Sequence, residues 1–413
     1  MTDVDGSIEW AQAVVEFVVN ERPGVRILDC RLVGGRSVRA LAYTELFGRL
    51  APGQSVWLNL RALDLGLGTG GVAFVAAPGV VAGGTAEIDP AASGEKLGGV
   101  VAGGTAENDP AASGEKLVGV VAANRPAEDS GYLVKARYTP LQVVTRGVDS
   151  PRSPHHGVLA RAESLDGLPV VVADLHSSLP AICAAILYDA ARASQSPRLV
   201  YVMTDGAALP IAYSRTVARL KRDGSLMATI TAGQAYGGDY EAVSLHSALL
   251  AAKHVAQADV VICIQGPGNL GSDTTWGFSG VAVGEAVNAA AILGGRPVGC
   301  LRVSGADWRE RHRGLSHHSV TAYGRVALRP AELAVPRLTG ELASVGVAVE
   351  AAARPLAERH RLVSVEVGDL APILAATAGL NTMGRDYGAD PAAFLAAAAA
   401  GRLAWRMVSE QSG

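Results

Sequence analysis

From about residue 157 onward the chain alternates short, continuously apolar runs with longer stretches of helical periodicity, and this alternation constrains the fold more than any other feature. A run such as VVICI has no polar face, so a strand built from it must be covered on both sides. Strands are expected at 169–173, 199–203, 227–231, 260–264 and 298–303, and helices at 180–193, 210–222, 240–257 and about 277–293. That order spells an α/β fold, a Rossmann-like, doubly wound and mostly parallel sheet over residues 151–335. A mostly helical C-terminal extension follows over 336–413, with one more strand expected at 361–367.

The region before it, 1–150, has β character. Runs at 25–30, 37–44, 55–60 and 72–76 are separated by glycine and proline turns, which predicts a small barrel or sandwich. Pairing is expected to resume with 132–138 and 141–145, and 149–156 (DSPRSPHH) reads as a linker. In between, residues 81–100 recur almost unchanged as 101–120, with only Ile88/Asn108 and Gly98/Val118 different. Two near-identical units, rich in Gly, Ala, Ser and Pro, are too few for a solenoid and too poor in large apolar residues to order themselves. Residues 79–130 are therefore expected to be a flexible duplicated insertion outside the chemistry.

With 413 residues, 49% hydrophobic and 18% charged, the chain has ample material for a core. Aromatic residues make only 5%, so that core draws mainly on Ala and Val. A net charge of −3 argues against nucleic acid or an anionic membrane as the partner. Five Lys against 31 Arg suggests a high-GC bacterial source. Cys30, Cys183, Cys263 and Cys300 are far apart and form no C-x-x-C pair, so neither a zinc ribbon nor a disulfide framework is indicated, and a reducing cytoplasm is the simplest home. The first ten residues lack the pattern of a secretory signal, and the apolar stretch 392–399 is far shorter than the ~20 residues of a membrane span. The expectation is a cytoplasmic protein that binds a small molecule, with a homo-oligomer left open.

Ligands of open α/β sheets bind beyond the carboxyl ends of the strands, so the residues following each strand carry the functional reading. They are DLHSS (174–178), TDG (204–206), TAGQAYGGD (231–239), QGPGNLGSDTT (265–275) and SGADWR (304–309). His176 leaves a buried strand and is a candidate base or ligand, with Asp205 and Asp239 as carboxylates for acid, base or Mg²⁺ duty. Ser177 and Ser178 read better as helix caps than as nucleophiles. Gly266, Gly268 and Gly271 match G-x-G-x-x-G, but Pro267 and a late helix start weaken a dinucleotide reading, so NAD is not expected. An anion cradle from that loop would use Asn269, Ser272 and Thr274. Arg302 and the DWRERHRGLSHHS segment supply Arg309, Arg311, His317 and His318 as donors to phosphate or carboxylate. His317 and His318 are adjacent, and on a helix they diverge by about 100°, which speaks against both ligating one metal without loop geometry. A divalent metal therefore stays an open option with its ligands unassigned.

The strings LHSSLP (175–180), TDGAALPIAYSRTV (204–217), TAGQAYGGDYEAV (231–243), GPGNLGSDTTWGFSG (266–280) and RERHRGLSHHS (309–319) together resemble an uncharacterised bacterial family, domain of unknown function 3866. LGLGTGG (65–71), LVKARYTPLQ (133–142) and NTMGRDYGADPAAF (381–394) are similar to the same family. The resemblance spans nearly the whole chain and implies a shared design without an assigned reaction. The function expected from the residues is binding of a small anionic, phosphorylated or nucleotide-like ligand at the carboxyl edge of the sheet, with hydrolysis or group transfer. The alternative is a non-catalytic sensor or scaffold using the same crevice.

Overall fold

The computed structural model describes residues 10–64, 71–79, 132–137 and 143–411. The expected insertion therefore lies outside the described residues, except for Gly79. The chain divides into two compact units. One comprises Met1–Asn20, Arg26–Ala42 and Phe47–Ser130; the other comprises Glu21–Val25, Tyr43–Leu46 and Gly131–Gly413.

The first unit contains a closed five-stranded barrel rather than a sandwich. Its strands are β1 (Trp10–Arg22), β2 (Val25–Leu32), β3 (Ser37–Tyr43), β4 (Ser55–Asn59) and β5 (Ala73–Pro78), in the order β1-β2-β3-β5-β4. Closure pairs every strand on both sides, so no edge is left exposed. Period-2 alternation fills the interior with Ala13, Val15, Leu28, Cys30, Ala40, Val56, Leu58 and Val75. The long β1 was not expected from the sequence, because Trp10, Val14, Phe17 and Val19 are exposed and apolar and hide its alternation.

In the second unit, β6 (Tyr132–Lys135) and β7 (Val143–Arg146) pair with each other as an antiparallel ribbon instead of resuming the barrel. The anchor is Lys135, whose buried ammonium donates to the carbonyls of Gly233, Ala235 and Ala242 at 2.6, 3.0 and 3.0 Å. Those three carbonyls satisfy a charge that would otherwise be costly to bury.

The remaining elements build an eight-stranded parallel sheet. Its strands are β8 (Pro169–Ala173), β9 (Leu199–Thr204), β10 (Ala228–Ala232), β11 (Tyr240–Ala242), β12 (Val260–Gln265), β13 (Arg296–Cys300), β16 (Glu332–Arg337) and β17 (Arg361–Glu366). Between β13 and β16 lies the short antiparallel pair β14 (Val303–Ser304) and β15 (Gly314–Leu315), and a second such pair, β18 (Asn381–Thr382) with β19 (Arg385–Asp386), follows β17. The sheet order is β11-β10-β9-β12-β8-β13-β16-β17. Every residue of β8, β10 and β12 is buried, as continuous apolar runs require.

Three local expectations change. Tyr240 opens an edge strand rather than a helix, and the helix begins at Leu245 because Ser244 and Ser247 form a capping box there. The helix expected from residue 210 begins at Arg215, where the Ser214 side chain accepts the Val217 N–H. The strand expected over 298–303 runs Arg296–Cys300, with β14 as a separate element. β16 escaped the sequence reading because Pro336 argues against a paired strand.

The Leu179–Arg192 and Pro391–Gln411 helices pack on one another, and the latter also lies against β8, β13 and β16. The Leu245–His254 and Ala282–Ile292 helices form another layer, on β9, β10, β8 and β13. Gly401 sits where the first two helices cross, and a Cβ there would collide with the Ile182 carbonyl. Gly401→Val is expected to force the helices apart and cost about 2 kcal/mol by overpacking. A urea-midpoint shift with unchanged m-value checks this.

Strand order also places the crevice. The chain leaves β8 through the Leu179–Arg192 helix for β9, and leaves β12 through the Ala282–Ile292 helix for β13, beyond β8. β8 and β12 are neighbours, and their connections pass one another through helices of the two separate layers, an arrangement whose carboxyl ends are where open α/β sheets take ligands.

Candidate functional site

Asp174 directly follows β8 at that crevice and organises it. The side chain is 6% exposed, and its carboxylate is surrounded by donors. Asn269 Nδ2 donates to Oδ1 at 2.7 Å, Arg302 Nη1 donates to Oδ2 at 2.9 Å, and His318 Nδ1 lies 3.0 Å from the same oxygen. Burial alone would raise the Asp174 pKa, but the hydrogen bonds and charges of His318 and Arg302 outweigh it and hold it below the ordinary carboxylate range. Backbone geometry makes room for this: a Cβ on Gly280 would collide with Asp174 Oδ1, so only glycine fits there. Gln265, the last residue of β12, donates to the Asp174 carbonyl at 3.2 Å, while its own Oε1 is buried without a hydrogen-bond partner.

Beside Asp174, three imidazoles converge. One ring nitrogen from each of His312, His317 and His318 lies within 4.8 Å of the others. The local reason is Ser316, which caps the His317–Thr321 helix by accepting the His318 N–H at 3.2 Å. The same hydroxyl meets His312 Nδ1 at 2.7 Å, tying the Glu310–His312 turn to the helix start. Phe278 stacks on His318 at 3.7 Å and 9°. The adjacent His317 and His318 rings lie 4.5 Å apart, because the helical 100° separates Cα–Cβ directions and two imidazoles can still lean together. Burial first, and then Arg302 and Arg309, push the His312 pKa down to about 3. Burial, His318 and Arg311 lower that of His317. Both rings are thus neutral near pH 7.

A small open cleft lies alongside, lined by Ser177, Ser178, Arg302, Ser304, His312 and Arg385, among others. Asp307 stands at its wall, held well below the ordinary carboxylate range because Arg309 and Arg385 outweigh the effect of burial. Asp390 completes this wall, accepting from Ser304 Oγ at 2.5 Å, from Gly305 N–H at 2.9 Å and from Arg385 Nε at 3.1 Å.

The structure brings Asn269, His317 and His318 together and leaves the other expected site residues elsewhere. His176 is buried with both ring nitrogens engaged, Nδ1 with Tyr201 Oη at 3.1 Å and Nε2 with Ser214 Oγ at 2.7 Å. Asp205 is exposed and accepts the Gln234 N–H at 2.8 Å. Asp239 accepts from Lys221 Nζ at 2.5 Å and from the Thr229 N–H at 2.7 Å, a turn-stabilising role. The loop of Gly266, Gly268 and Gly271 closes on itself: Ser272 donates through N–H and Oγ to the Gly277 carbonyl, and Thr274 Oγ1 accepts the Gly277 N–H. Its hydroxyls therefore serve the loop, and the next α-helix starts only at Ala282. Arg309 is engaged bidentately by Asp307 at 3.0 and 2.9 Å, and Arg311 pairs with Asp273.

Sequence reasoning set Arg302 at the head of the donor segment but passed over Asp174, His312 and Arg385 as site residues. Asp174 carried a usable signal, being the first polar residue after PVVVA. Arg385 carried none, since only the fold brings it to Asp307, 78 residues away.

A family model described as a protein of unknown function (DUF3866) matches residues 39–401. No curated protein matches the chain.

Proposed function

We propose a function from the site itself, because the chain belongs to the DUF3866 family of proteins of unknown function: the crevice beyond β8, β12 and β13 binds a small anionic ligand of phosphorylated or nucleotide-like character. Arg302 carries this reading. It lines the cleft with Nη1 donating to Asp174 Oδ2, and among the described residues Nε and Nη2 have no hydrogen-bond acceptor, so that edge of its planar fork is available to a bound oxyanion. The hydroxyls of Ser177, Ser178 and Ser304 and the guanidinium of Arg385 line the same space. In this reading the second unit is Rossmann-like, with its ligand at the carboxyl ends of β8 and β12. Hydrolysis or group transfer would rely on the imidazoles around Asp174, since His176 is engaged inside the core.

Calorimetric melting against inorganic phosphate, sugar phosphates and nucleoside diphosphates tests the proposal. A compound present at about 100 times its Kd should stabilise the protein by about 2.7 kcal/mol. Arg385→Lys, which keeps the charge and loses the fork, should weaken that effect by roughly tenfold, in line with about 1.5 kcal/mol for a charge-assisted hydrogen bond. If no phosphorylated compound moves the melting temperature, the anion reading fails.

A further inference from the structure

We propose that His312, His317 and His318 bind one divalent transition-metal ion of the imidazole-preferring class, with Zn²⁺ foremost. Three facts converge on this, and none depends on the anion reading. The first is separation. Nitrogens on a tetrahedral ion at about 2.0–2.1 Å stand roughly 3.3 Å apart, so closing from within 4.8 Å takes a shift of under about 1 Å per ring.

The second is the set of groups behind the imidazoles. Metal-bound histidines direct their other nitrogen at a carboxylate, carbonyl or hydroxyl, which fixes the tautomer and the ring plane. His318 Nδ1 has Asp174 Oδ2 at 3.0 Å, and His312 Nδ1 has Ser316 Oγ at 2.7 Å. Arg302 Nη1 also lies 2.8 Å from His318 Nδ1, and in the metal-binding tautomer it donates to Asp174 Oδ2 while His318 Nδ1–H donates to the same carboxylate. With protons on these Nδ1 atoms, both Nε2 lone pairs are left for a ligand. Phe278, face-on to His318 and edge-on to His317 at 5.9 Å, adds an apolar wall that keeps the rings oriented.

The third is an unsatisfied atom. His317 Nε2 is buried and has no hydrogen-bond partner. Buried polar atoms in native proteins are nearly always paired, and a bound ion would satisfy this one. Three protein nitrogens would leave a fourth position for water or another ligand, and His312 also lines the cleft. Imidazole donors without a thiolate favour Zn²⁺, Co²⁺, Ni²⁺ or Cu²⁺ over Mg²⁺ or Ca²⁺.

The test uses the full chain without an affinity tag, stripped with EDTA, desalted and titrated with Co²⁺ in a buffer free of phosphate. The expected result is one Co²⁺ per chain, with the visible ligand-field bands of a four- or five-coordinate ion that Zn²⁺ displaces. His317→Ala should lower the affinity by at least about 100-fold, the upper end of what loss of a supporting partner alone produces. His246→Ala, on another helix, should leave it unchanged. Melting curves in EDTA establish that each variant is folded, and His312→Ala repeats the test should His317→Ala melt early. A wild-type chain that takes up no stoichiometric Co²⁺, or His317→Ala and His312→Ala chains that bind as tightly as wild type, would overturn the site. Because no anion is present in the titration, its failure leaves the anion proposal to its own experiment.

Discussion

Asp174→Ala is expected to lower the free energy of unfolding by about 3–5 kcal/mol, the usual cost of leaving one member of a buried ion pair without its partner. The stranded group is the Arg302 guanidinium, whose side chain is 8% exposed and whose counter-charge in the crevice is Asp174 at 2.9 Å. Asn269 Nδ2 would lose its 2.7 Å acceptor at the same time. A second substitution separates the charge from the cavity: Asp174→Ala with Arg302→Met removes both charges, and it should recover most of the loss, since buried pairs often exchange for apolar groups with little net change. Urea denaturation with a common m-value measures both chains. A double variant no more stable than Asp174→Ala would show that the carboxylate matters for its hydrogen bonds to Asn269 and His318, and not for neutralising Arg302.

The other large effect concerns pH. His176 has its pKa pushed down to about 4, chiefly by burial, against a small opposing influence of the Gln265 backbone. In the unfolded chain an imidazole titrates near 6.5, so the contribution of neutral His176 to stability is fully present above that value. It fades as the pH falls from about 6.5 to 4, because the unfolded state takes up the proton first, and below about 4 the dependence flattens. The 2.5-unit difference corresponds to about 3 kcal/mol lost across that window. His176→Gln offers an amide to both Tyr201 Oη and Ser214 Oγ but does not titrate, so its stability should be nearly flat where the wild type declines. Parallel curves for the two proteins over pH 7 to 4 would assign the acid sensitivity to other groups.

How legible the protein was depended on the range over which each signal acts. β8 was readable to the residue, because PVVVA is apolar throughout and a buried parallel strand needs nothing else. The barrel strands β2 to β5 were readable from local turns and alternation, whereas β1 was hidden by exposed Phe17 and Val19. Helix starts moved by several residues where a cap decided them: Ser214 and Ser244 each fix an end that apolar periodicity leaves open. At the site, His317 and His318 were visible as residues, but their convergence with His312 depends on a single hydroxyl, Ser316 Oγ, serving a turn and a helix at once. His176 shows the opposite case. Its position after a strand suggested chemistry, and only the neighbouring Tyr201 and Ser214, 25 and 38 residues away, give both its nitrogens structural partners.

The crossing at Gly401 bears on how the chain must be made. Arg402, next to it, pairs with Asp189 across 213 residues, at 2.8 Å through both Nε and Nη2. On a ribosome adding about 5–20 residues per second, the Leu179–Arg192 helix would emerge about 10–40 s before the helix that covers it. Through that interval the side of the helix that packs on Pro391–Gln411 lacks that cover. The packing of these two helices is therefore completed only when residues 391–411 clear the exit tunnel, and until then the α/β unit exposes apolar surface of the kind that chaperones shield.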